Sequence, residues 1–240
     1  MFNLFNRPPV STPGGTIPAV YIDMAKQTHL LIAGKTGAGK SVVINGIIYG
    51  LLCHYFPNEC QFVFVDPKRV ELVQYKNTPH CMIYASEPGQ PITALKMALA
   101  VTESRYKTMQ HDGLKKFNGG AVYVIIDELA DIMTTNKTAF VPLLQRLAQI
   151  GRAANVHIIA ATQCPLAEII PTKIKVNFDS VLGLKTATKQ HSRNIIGLPG
   201  CEQLPRYGNG YYNTPDGLRL VKLPMIPESE LDRVVKHWTK

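Results

Sequence analysis

Eight residues, GKTGAGKS from Gly34 to Ser41, fit the pattern GxxxxGK[ST] at every fixed position. Glycines in such a loop let successive main-chain N–H groups converge on an anion, and a helix starting there adds the positive end of its dipole. Lys40 is then placed to reach the β- and γ-phosphates of a nucleotide, and the Ser41 hydroxyl to ligate Mg²⁺. The predicted nucleotide-binding set is Gly34, Thr36, Gly37, Ala38, Gly39, Lys40, Ser41 and Val42. The plainer alternative is a glycine-rich turn that only caps a helix. Downstream, VIIDE ends an apolar run in Asp127 and Glu128. A carboxylate at Asp127 can hold the magnesium through water, and one at Glu128 can orient and activate the attacking water. The alternative is two carboxylates capping the next helix. Gln163 closes the run VHIIAATQ, where a polar side chain can sense the γ-phosphate or simply solvate a strand end.

These residues need a scaffold that brings distant segments together, and the apolar patterning predicts one. From Thr28 onward strands and helices alternate. HLLIAG, QFVFVD, AVYVIID, VHIIAATQ and SVLGLK read as strands, the central ones apolar on both faces as in a covered parallel sheet. KSVVINGIIYGLL and FVPLLQRLAQIGRAAN read as helices. Ile92, Leu95, Leu99, Thr102, Tyr106 and Met109 recur at steps of three and four, one face of a long helix. YYNTPDGLRLVKL carries a Pro-Asp-Gly turn between two strand-like runs, hence a hairpin. A C-terminal helix opens at Pro227 and buries Leu231, Val234, Val235 and Trp238. The expectation is one doubly wound α/β domain, a mostly parallel sheet with helices on both faces. The strand QFVFVD falls between the phosphate loop and VIIDE, and a glutamate follows the aspartate. Both features point to the RecA-like branch of P-loop ATPases. Residues 7 to 18, with four prolines and two glycines, read as an extended arm or linker. The predicted division is an arm over 1–24 and a motor domain over 25–240.

Composition narrows the partner. The formal net charge is +9, which favours a polyanionic partner such as nucleic acid, or an anionic membrane surface, the plainer alternative being a merely basic soluble enzyme. Five cysteines without a CxxC pair, and histidines without metal-ligand spacing, fit a reduced, cytosolic chain lacking structural zinc. No run approaches the length of a membrane span, and MFNLFNRPP has no signal-peptide core.

The order of HLLIAGKTGAGKSVVIN, VFVDPKRVEL, ESRY, VIIDELADIM, RLAQIGRAANVHIIAATQ, HSRNIIG and DRVVKHW resembles the motor domain of the FtsK/SpoIIIE DNA translocases, over roughly residues 25 to 238. The resemblance implies a RecA-like ATPase that uses ATP and Mg²⁺, assembles as a homo-hexameric ring and pumps double-stranded DNA through its pore. It also implies that Arg152, in QIGRAAN, reaches into a neighbouring subunit's ATP site as an arginine finger. Read alone, Arg152 is equally an arginine favouring the dipole at a helix C-terminus. Basic residues on pore-facing loops match Lys173 and Lys175 in PTKIKVNF and Lys189 and Arg193 in TATKQHSRN, suited to phosphate contacts without base reading. Singly, each is also an ordinary solvated charge.

VDPKRVEL is shared with the family, but its chemistry does not follow from the residues. Asp66 sits at a strand end, where α/β sites form, or it caps a turn. Tyr211 and Tyr212 fit hairpin packing better than base stacking. The sequence departs from the family at Cys164, where an arginine usually follows ATQ. A membrane region and a winged-helix module are also expected to be missing, which suits a phage, plasmid or mobile-element motor at least as well as a chromosome-segregating cell protein. Two other readings remain: a type VII-like protein secretion ATPase, and a nucleotide switch or scaffold that does not turn over. The intact Lys40, Asp127 and Glu128 argue against the second.

Overall fold

A computed structural model describes residues 10–12, 15–17, 22, 24, 26–166 and 169–239. Its centre is an eight-stranded sheet. In chain order the strands and helices are β1 (Val10–Thr12), β2 (Gly15–Ile17), β3 (His29–Ala33), α1 (Lys40–His54), β4 (Cys60–Val65), β5 (Cys81–Ala85), α2 (Gln90–His111), β6 (Ala121–Ile126), α3 (Leu129–Thr135), α4 (Lys137–Ile150), β7 (Val156–Thr162), α5 (Thr172–Lys175), β8 (Ser180–Gly183), α6 (Lys189–Ile196), β9 (Asn209–Thr214), β10 (Gly217–Lys222) and α7 (Glu228–Trp238). The spatial order is β10-β9-β8-β3-β7-β6-β4-β5. The six strands from β8 to β5 run parallel, and β9 and β10 add an antiparallel hairpin at one edge.

Burial explains why the central strands have no polar face. Leu30 to Ala33, Phe62 to Val65, Val122 to Ile126 and Ile158 to Ala161 are buried, alternate residues pointing to opposite cores. One core is closed by α2, α3, α4, α5 and α6 through Leu95, Ile132, Leu144, Ile174 and Ile195. The other is closed by α1 and α7 through Ile44, Ile48, Leu52, Val234 and Trp238. The Trp238 indole N–H donates to the Leu52 carbonyl at 2.9 Å and so pins α7 to α1.

Several expectations change in detail. β5 and α3 were not anticipated. QFVFVD lies between the loop and VIIDE in the chain but not in the sheet: β7 separates β3 from β6, while β4 lies outside β6. Within 7–18, expected to hold no element, the described residues form the short antiparallel pair β1 and β2, with Val10 opposite Ile17. The arm expected over 1–24 is also not free throughout, because Ile22 and Met24 are buried in the α1 core. The α4 helix stops at Ile150, with Gly151 at its C-cap, five residues before the predicted end. A side chain at Gly151 would collide with the Val156 carbonyl, 2.6 Å from its Cβ position.

Candidate nucleotide site

All parallel strands end at one edge of the sheet, and the predicted catalytic groups other than Arg152 gather there. β3 runs into the glycine loop, β6 into Asp127 and Glu128, β7 into Gln163 and β4 into Asp66. This edge is where ligands bind in open α/β sheets. The order β3-β7-β6 sets Gln163 between the loop and the carboxylates.

The loop is shaped for an anion. Gly37 and Gly39 adopt φ of +71° and +100°, values that favour glycine. A side chain at Gly34 would meet the Leu184 Cβ at 2.8 Å. Helix α1 begins at Lys40 with no side-chain cap and no acidic residue in its first turn, so its positive end is left for a ligand. Lys40 folds back over the loop, its ammonium donating to the carbonyls of Gly34 at 2.9 Å and Lys35 at 3.3 Å. Desolvation holds its pKa below the usual lysine value, and the charges of Glu128 and Asp127 oppose that shift.

The carboxylates are both buried. Asp127 is pushed up to about 7, first by desolvation and then by the charges of Glu71, Asp66 and Glu128, with Lys68 acting the other way. A buried carboxylate among like charges is a position that a cation stabilises. Ser41 in the first turn of α1 supplies a hydroxyl, so the residues present fit a Mg²⁺ carried in with a nucleotide. Glu128 does cap the following helix, accepting from the Ala130 N–H at 3.1 Å. The plain reading of that residue therefore holds, and it does not exclude the chemical one. Both Glu128 oxygens also accept from the Gln163 main-chain N–H at 3.2 Å. The Gln163 side chain in turn receives the Thr36 hydroxyl at 2.5 Å. The glycine loop, the end of β7 and the glutamate form one connected set.

The VDPKRVEL segment, opaque in the sequence, lines the same site. Asp66 is buried and accepts from the Leu72 N–H at 3.0 Å and the Tyr84 hydroxyl at 3.1 Å, which fixes the turn. That turn delivers Lys68 to 3.8 Å from Glu128 and 3.6 Å from Asp131. Sequence reasoning missed Lys68 and Glu71. Their signal was only that a turn after a strand end carries charge.

The remaining predicted residues lie elsewhere. Arg152 follows α4 at the opposite edge of the sheet. Its Nη2 donates to the Lys26 carbonyl at 2.7 Å and to Asp179 at 3.4 Å, beside the start of β3. The five residues of β3, about 16 Å at parallel-strand rise, separate that point from the loop. Lys173 and Lys175 lie on α5, and Lys189 and Arg193 on α6. The Lys175 ammonium donates to the Asn194 carbonyl at 2.7 Å, which joins the two helices and occupies that charge. Lys173, Lys189 and Arg193 are exposed. Tyr212 is buried with its hydroxyl on Gln27, so the tyrosine pair serves hairpin packing. Cys164 is a free thiol whose main-chain N–H donates to the Thr162 hydroxyl at 3.1 Å. Among the described residues no helix is long and apolar enough to cross a membrane.

Known proteins share this architecture. The conjugation coupling protein TcpA of pCW3, in a structure with ATPγS, superposes with a TM-score of 0.80 at 22% identity, covering 95% of this chain and 69% of that one. The cytoplasmic domain of the Thermomonospora curvata type VII secretion ATPase EccC gives 0.75 at 22% identity, over 88% of this chain and 28% of that one. Both likenesses concern the fold, which is RecA-like. By sequence, the DNA translocase FtsK of Rickettsia bellii is 36% identical over 90% of this chain and 35% of its own length. The chain thus spans about a third of the curated relatives it matches. The FtsK/SpoIIIE family pattern matches residues 12–121. With the glycine loop, the Asp127–Glu128 pair and the sheet order all in agreement, the chain is similar to the FtsK/SpoIIIE family.

Proposed function

We propose that the chain is an ATP-hydrolysing motor that works as a ring and moves double-stranded DNA. The observation that carries this reading is the placement of Arg152 at the sheet edge opposite its own phosphate loop. An arginine there cannot serve its own site and is free to serve that of a second copy. The net charge of +9 and the exposed Lys173, Lys189 and Arg193 support a polyanionic track held through phosphates. The relatives' name, DNA translocase, supports duplex DNA as that track.

In this reading the loop N–H groups and Lys40 bind the phosphates of ATP. Ser41 and, through water, Asp127 would hold Mg²⁺. The metal, when bound, neutralises charge on the β- and γ-phosphate oxygens. Glu128 takes the proton of the attacking water, and Gln163 sets the distance between Glu128 and the loop. Arg152 from the adjacent copy stabilises charge at the γ-phosphate, a contribution of about 10³ to 10⁵ in rate where such fingers operate.

The likeness to EccC favours a second reading, a protein secretion ATPase. Hydrolysis measured with and without linear duplex DNA separates the two. Stimulation by DNA of any sequence supports the translocase. Stimulation by a secretion-signal peptide and not by DNA overturns it.

A further inference from the structure

Asp179 gives no sign of a role in the sequence. It stands just before β8, next to β3 in the sheet. Its Oδ1 accepts from the His29 N–H at 2.9 Å, and its Oδ2 from the Thr28 N–H at 2.9 Å. Oδ2 also receives Arg152 Nη2 at 3.4 Å, while the Lys26 carbonyl takes the same nitrogen at 2.7 Å. The arginine side chain is 64% exposed and the aspartate 24%. One guanidinium nitrogen is held, and the rest of a five-donor fork is left for another ligand.

Exposed ion pairs contribute little to stability, so the fixing of this carboxylate needs another account. Among the described residues the other arginine–carboxylate pairs, Arg69–Glu87, Arg146–Glu103 and Arg233–Glu230, use carboxylates more exposed than Asp179. Asp179 is instead fixed by two main-chain donors at the root of a buried strand, and so is oriented before the arginine meets it. A carboxylate set in advance restricts the arginine and spends no order of its own, which is what holding a catalytic group in place requires.

We infer that Asp179 is the positioning residue for Arg152, holding its guanidinium at the sheet edge where a neighbouring copy's nucleotide is presented. The inference rests on the reading of Arg152 as a finger acting between copies. It separates from a role in the fold because the defect of an Asp179 variant then belongs to the neighbour's site and not to its own loop.

The test uses the full chain as Asp179→Asn, Arg152→Ala and Lys40→Ala, alone and in mixtures, with co-assembly checked by co-purifying two tags. Asp179→Asn alone should lose about tenfold or more in hydrolysis. Its own loop should bind a fluorescent ATP analogue within about twofold of wild type. Mixing with Lys40→Ala should restore hydrolysis, as it should for Arg152→Ala, because the Lys40→Ala copy lends an intact Asp179–Arg152 pair. Adding Asp179→Asn to Arg152→Ala should cost nothing further. Recovery of Arg152→Ala without recovery of Asp179→Asn overturns the inference and leaves the finger standing. Recovery of neither, in mixtures that co-assemble, overturns the finger and this inference together. Wild-type hydrolysis by Asp179→Asn also overturns it. If that variant does not fold, Asp179→Ser, which keeps one acceptor, takes its place.

Discussion

Both carboxylate oxygens of Glu128 accept from the main-chain N–H of Gln163, each at 3.2 Å. The candidate base is therefore fixed to the end of the strand that separates the phosphate loop from its own strand. Its chemistry and its support are the same contact.

Replacing Glu128 by glutamine should keep nucleotide binding and remove about 10² to 10⁴ of the hydrolysis rate, because the amide cannot take the proton. Lys40→Ala should instead lose nucleotide binding itself. Titration with a fluorescent ATP analogue beside steady-state hydrolysis distinguishes the two. A Glu128→Gln enzyme that turns over normally would show that another group acts as base.

Thr36→Val removes the hydroxyl that Gln163 receives. The loop should still bind nucleotide within about threefold, and hydrolysis should drop about tenfold, the scale of one lost hydrogen bond. A change confined to affinity would mean that the Thr36–Gln163 contact does not bear on the chemical step.

Asp127 keeps its proton up to about 7 in the folded chain, against 3.8 as the ordinary value. The folded state thus binds more protons than the unfolded one between those limits, and stability falls as pH rises through that window. Asp127→Asn removes the charge that is disfavoured. The variant should melt higher than wild type at pH 8, by on the order of 2 kcal/mol after allowing for solvent screening, and nearly alike at pH 4. Mg²⁺-dependent hydrolysis should be lost in the same variant. Thermal melts of nucleotide-free protein across that range decide it, and a variant less stable than wild type at pH 8 would contradict the crowding of charge described for this site.

Duplex DNA affinity should fall with salt at about 0.9 in log–log slope per phosphate neutralised. Changing Lys173, Lys189 and Arg193 together to alanine should flatten that slope by two to three phosphates, at about 0.9 each. Lys175→Ala should lower the melting temperature more than it changes the slope, since its ammonium joins α5 to α6. An unaltered slope in the triple variant places the DNA elsewhere.

Local pattern made much of this legible. The glycine loop, the apolar strands and the face running from Ile92 to Met109 each announce themselves within one segment, and so do Lys40, Asp127 and Glu128. β5 was hidden because Cys81–Ala85 is short and, but for Ala85, only half-buried at the sheet edge beyond β4, so its pattern is weak. α3 was hidden because the apolar character of Leu129, Ile132 and Met133 runs on from the strand before it. Lys68 and Glu71 carry only the weak signal of a charged turn after a strand end, and Asp179 carries none. Asp179 meets Thr28 and His29 across about 150 residues of chain, and only the parallel pairing of β8 with β3 brings them together.

Strand β3 has a mechanical consequence. Leu30 to Ala33 are wholly buried, and the strand is bonded along its length to β7 on one side and β8 on the other. A one-residue slip would turn every side chain to the wrong face, so the strand can neither stretch nor creep. Asp179 grips one end and the glycine loop leaves the other. The strand is therefore a gauge of fixed length between the glycine loop and the Arg152 edge.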